Sequence, residues 1–184
     1  MKQEQLKRAN GVALPIILVI LIYTALTLIA FVLTKPSETT AVTYIQLLAS
    51  IIAIIVIIVV YIRKKGTKMC GVVIITAALV VYVLQRLIGT TENTCVYAFP
   101  ILFATYTYLD KKLMGNATTA VVAANVIRII FQAVQKNTGD SDVWFVNIAI
   151  CILVMIAANR SIRLLITFNE ENTKEIIEAA QKQE

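Results

Sequence analysis

The chain has 184 residues, 59% of them apolar, with a mean hydropathy of +0.80 and a formal net charge of +6. A soluble domain of this size buries only about 70% of its unfolded surface, so this much apolar side chain has no water-compatible core to occupy. The lysines and arginines stand in short clusters between apolar runs instead of forming one stripe, which excludes a nucleic-acid-binding face and points to lipid headgroups.

The start, MKQEQLKRAN, is basic and polar. The first apolar run, residues 11–34, outlasts the ~7–15 residues of a signal-peptide core and lacks a small-x-small cleavage site before Lys35-Pro36, so it reads as a retained span. Pro15 lies near its entry, where a missing amide hydrogen costs little. After a turn holding Pro36, Ser37 and Glu38 comes the second run, residues 42–62, with no charge, Gly or Pro. As a helix it covers roughly 30 Å, the hydrocarbon thickness of a bilayer. It ends on Arg63-Lys64-Lys65, and the third run, residues 69–88, carries Gln85 and Arg86 near its far end.

The fourth run, residues 95–109, is short, aromatic and interrupted by Pro100, where a kink is expected. The fifth, residues 117–134, contains Asn125, Arg128 and Gln132. The sixth, residues 143–158, is entered through Trp144 and left through Asn159-Arg160, an interfacial anchor followed by a basic exit. This reading gives an all-α polytopic membrane bundle of six transmembrane helices, arranged as three antiparallel hairpins, with a cytoplasmic C-terminal helical extension. Residues 1–161 form the membrane input domain, and residues 162–184 begin a cytoplasmic coiled coil.

Positive charge sets the expected orientation. With the N-terminus inside, 11 basic residues flank the inner face and only Lys35 and Lys136 lie in outer turns. Both termini are then cytoplasmic and the compartment is a bacterial plasma membrane. In that frame Gln46, Arg86, Asn125, Arg128 and Asn147, from separate spans, share the outer half of the membrane. One reading has Arg86 snorkelling to headgroups and Arg128 paired with an outer acid such as Asp142 or Glu92. The sharper one makes these five residues a pocket for a small, anionic ligand entering from outside.

Catalytic chemistry is sparse. The absence of histidine excludes an imidazole base and the usual His-bearing zinc sites. Asp110, Asp140 and Asp142 sit at turns instead of facing each other within a span. Cys70, Cys95 and Cys151 are in or beside apolar runs, without metal spacing, and read as buried small hydrophobes. No enzyme, cofactor or metal is expected, and Asn116-Ala117-Thr118 fits a glycosylation sequon only on the inner side, where it would go unused.

After Arg160 the chain continues as SIRLLITFNEENTKEIIEAAQKQE, good helix formers with no Gly or Pro. Ile162, Leu165, Asn169, Asn172, Ile176 and Ala179 fall on one heptad stripe, which would permit a parallel homodimer. The alternative is an amphipathic helix lying on the inner leaflet through Arg160, Arg163, Leu164, Leu165 and Phe168. The periodic pattern is still running at Glu184, as expected of a rod that continues or pairs. RLLITFNEENTKEIIEAAQKQE resembles the membrane-to-cytoplasm junction of bacterial methyl-accepting chemotaxis proteins, and MKQEQLKRAN leading straight into a span is similar to the six-span type. The resemblance implies a sensory input whose last span drives a downstream coiled coil, dimers in membrane lipid, and cytoplasmic signalling proteins as partners. A small transporter, or the input region of a histidine kinase or cyclic-dinucleotide enzyme, are the other functions this layout allows.

Overall fold

Small and polar side chains gather on one stripe of the first two long helices, and in the structure that stripe faces inward. The computed structural model describes residues 3–89, 92–134 and 141–181. Helix α1 (Gln3–Thr34) buries Ala9, Asn10, Ala13, Ile17, Leu21, Thr24 and Ala25. Helix α2 (Ala41–Lys64) buries Thr43, Gln46, Ser50, Ala53 and Ile57 at spacings of three and four, while Ile45, Leu48, Ile52, Ile55 and Ile62 are exposed. A soluble helix does the reverse. Aliphatic side chains outside and small or polar ones at the helix contacts are the arrangement that lipid favours, because helices in hydrocarbon associate by close packing and hydrogen bonds. The chain is a membrane-associated bundle of helices.

Helix α3 (Lys68–Ile88) is the central element, packed against α1, α2 and α5 (Lys111–Val134). Its inward face runs Cys70, Gly71, Ile74, Ile75, Ala78, Val81, Tyr82, Gln85 and Arg86, a single helical face two residues wide. The helix starts are capped locally. The Thr40 and Thr43 side chains form a reciprocal box at α2, Thr67 accepts from the Cys70 amide at 3.3 Å, and Asp110 accepts from the Lys112 and Leu113 amides at α5.

Four helices, not the six expected, are long and apolar enough to cross a membrane among the described residues: α1, α2, α3 and the Lys111–Phe131 part of α5. The fourth run is not a spanning helix. It forms a 3-10 turn, Glu92–Tyr97, followed by the nine-residue α4 (Ala98–Tyr106). Pro100 sits in the first turn of α4, where its missing amide is harmless. An α-helix extended back through it would set the ring against the carbonyl four residues earlier. At the other end Leu109 takes a positive φ of 48°, which stops the helix just before the Asp110 cap. The middle of the three expected hairpins is corrected with it, since α4 wedges against α1, α5 and α3 instead of pairing along α3.

The sixth run, too, falls outside the four. Most of its side chains, Asn147 among them, lie outside the described residues, and its backbone forms the first part of one 41-residue helix, α6 (Ser141–Gln181). That helix packs along α5, touches α4, and brings Ile166 against the core.

Candidate functional site

Buried polar groups collect at the two ends of the bundle, with Ile17, Ile57, Ile74, Ile75 and Ile101 filling the space between. At the basic end, Asn10 of α1 is fully buried. Its amide donates to the Lys65 and Thr67 carbonyls at 2.8 and 3.2 Å, and its Oδ1 accepts from the Tyr108 hydroxyl at 2.8 Å. Asn10 thus satisfies the turn between α2 and α3 from inside and anchors the chain that leaves α4. Gly71 makes this possible, because a Cβ there would run into the Tyr108 ring and lie 3.0 Å from Asn10 Oδ1. Beside it Lys68 pairs with Asp110, and the Lys68 ammonium holds the Asp110 carboxyl below the ordinary carboxylate range. A cavity of about 490 Å³ opens here between Leu6, Lys68, Asp110 and Lys111 on one side and Ile166 and Glu170 of α6 on the other. Sequence reading missed this cluster: Asn10 and Tyr108 are 98 positions apart, and Asn10 looks like part of a polar leader.

At the opposite end, Arg86 is only 2% exposed. Its Nε donates to Asn125 Oδ1 at 2.8 Å, and the Asn125 amide donates to the Tyr82 hydroxyl at 2.7 Å and the Val121 carbonyl at 2.8 Å. Arg86 therefore does not snorkel. It reaches sideways and fastens α3 to α5, and a charge-assisted hydrogen bond of this kind is stronger than a neutral one. Arg128, one turn further along α5, is half-buried. Gln46 lies at the same end but on the other face of α3, with Gln85 and Gly89. The structure thus brings Arg86 and Asn125 together and places Gln46 in a separate cavity of about 240 Å³. The Asn147 side chain lies outside the described residues, as do those of Ile162 and Ala179. Of the tail stripe, Leu165, Asn169, Asn172 and Ile176 are exposed on α6.

These groups hold helices together and offer hydrogen bonds, but they form no nucleophile–base pair. Among the described residues no three His, Cys, Asp or Glu side chains come close enough to hold a metal.

No family model, curated protein or solved structure matches the chain. The resemblance to methyl-accepting chemotaxis proteins is overturned: no similarity supports it, and the six-span layout it leaned on gives way to four candidate spans among the described residues. Twenty-odd residues rich in Glu, Lys and Ile are what any exposed helix of good formers looks like.

Proposed function

We propose that the chain is a non-catalytic signal-input module, in which the membrane bundle receives a stimulus and α6 carries a displacement out of it. The observation that carries this reading is the continuity of α6. At 1.5 Å per residue its 41 residues extend about 60 Å, twice the thickness of a hydrocarbon layer. One end packs on α5, the helix touches α4, and Ile166 rests on the core beside the basic end. Beyond that point residues 167–174 are exposed. A rigid rod seated on the bundle and free past it moves when the bundle repacks, and shifts of ~1–2 Å suffice in helix-shift switches.

The basic end gathers Lys7, Arg8, the turn after α2, Lys111 and Lys112, which supports a cytoplasmic location for it, for the N-terminus and for the free half of α6. The apolar layer between the two polar ends disfavours a transporter, which needs a polar path from one face to the other. The exposed stripe Leu165–Asn169–Asn172–Ile176 is where a second copy of α6 would pack in parallel.

Cysteine crosslinking in native membranes tests the rod, with Cys70, Cys95 and Cys151 first replaced by Ala. Leu165→Cys and Ile176→Cys should crosslink strongly between copies, and Leu164→Cys and Glu178→Cys weakly. Equal, weak crosslinking at all four positions would overturn the dimeric rod.

A further inference from the structure

The cavity of about 240 Å³ between α1, α2, α3 and the 3-10 turn before α4 is built from Tyr23, Thr27, Gln46, Gln85, Thr94 and Tyr97, with Leu28 and Gly89 completing it. Gln46 is the telling residue. It is 6% exposed, it lines the cavity, and no described residue accepts a hydrogen bond from its buried Nε2. Leaving a buried amide donor unused forfeits its solvation with nothing in return, and a cavity wall is the place where a ligand oxygen can recover it.

We infer that this cavity binds a small neutral molecule carrying one hydrogen-bond-accepting oxygen on a ring-sized apolar body. The Tyr23 and Tyr97 rings stand edge to face with centroids 6.2 Å apart, giving an aromatic corner beside Leu28. The Thr27 hydroxyl spends its proton on the Thr24 carbonyl at 2.8 Å, so it presents lone pairs. Within this lining Gln46 offers a carboxamide donor and Thr27 a hydroxyl acceptor, together the complement of a primary amide. The described lining offers no charge: Arg86, next in sequence to Gln85, turns to Asn125 on the other side of α3. An anion would be stripped of water with nothing of opposite sign beside it, and a hydrocarbon would leave Gln46 unsatisfied. The inference is independent of the signalling role of α6, since its test reads binding alone.

The test uses the full chain in lipid nanodiscs, with ligand-observed NMR and empty nanodiscs as the partitioning blank. The probes are benzamide, benzoate and toluene, matched in size and differing in the feature at issue. Benzamide is expected to bind, with benzoate and toluene at least tenfold weaker, and Gln46→Met is expected to weaken benzamide at least tenfold. Failure of benzamide to bind, equal binding of toluene, or undiminished binding to Gln46→Met would each overturn the inference. Should Gln46→Met fail to fold, the wild-type protein decides. Nuclear Overhauser effects from the benzamide ring to both the Tyr23 and Tyr97 rings support the site, and bound benzamide without them overturns it.

Discussion

At the scale of single residues, Asn10 shows how a membrane bundle uses one buried amide. Two carbonyls at the α2–α3 turn and the Tyr108 hydroxyl all depend on it. Asn10→Ala should cost about 1–3 kcal/mol, the penalty of leaving buried partners unmet, and Gly71→Ala should cost a similar amount, about 1–3 kcal/mol, by overpacking against the Tyr108 ring. Thermal unfolding in detergent checks both, and the pair should be less than additive because either change dislodges the same phenol. Asp110 gives a pH signature. The Lys68 ammonium favours its charged form in the folded state, so the folded carboxyl titrates below the unfolded value. Its contribution is complete above the unfolded pKa of about 3.9 and is lost as pH falls through the lower folded value. Asp110→Asn keeps much of the cap at α5 but removes the charge. The stability gap between wild type and Asp110→Asn should therefore be flat above about pH 5 and close on acidification below pH ~4. A gap that widened toward acid would contradict the assignment.

At the scale of elements, α1, α2, α3 and α5 were legible because apolar length alone marks a helix in lipid, and their ends differ from the apolar runs mainly where polar residues extend a helix past the hydrocarbon: α1 begins at Gln3 instead of Gly11, α5 at Lys111 instead of Ala117. The segment around α4 was not legible as it stands. Its composition matches a span, and only the backbone rules at Pro100 and Leu109 divide it into a 3-10 turn and a short helix. The site residues divide the same way. A shared depth for Gln46 and Arg86 follows from counting residues along helices, whereas the side of α3 to which each turns depends on tertiary packing. Helix α6 was legible as a continuous rod, and continuity is what the proposed relay needs. Asn172→Pro would kink the exposed half and break the hydrogen bond to the fourth residue before it, at a cost of about 3 kcal/mol or more to that part of the helix. With Leu165→Cys and Ile176→Cys as reporters, crosslinking should persist at Leu165 and fall at Ile176. Loss at both positions would mean that the rod folds as one unit with the bundle.

At the scale of the whole molecule, the inverted pattern of α2 and the clustering of charge make one claim about how the bundle sits. Aliphatic side chains cover the outside, basic residues crowd one end, and the Ser37 turn lies at the other. Glu170 of α6 shares a cavity with Lys68 and Lys111, so the exposed half of α6 leaves from the basic end. Ser37→Cys should then react with a membrane-impermeant maleimide from one face of the membrane only, and Lys112→Cys and Glu171→Cys from the other. Because positive charge near the ends of spans sets orientation, replacing Arg63, Lys64 and Lys65 together with Gln should put a fraction of molecules the other way round, seen as labelling of Ser37→Cys from both faces. Labelling of Ser37→Cys and Lys112→Cys from the same face in the otherwise unchanged chain would contradict this seating, and with it the route by which α6 leaves the membrane.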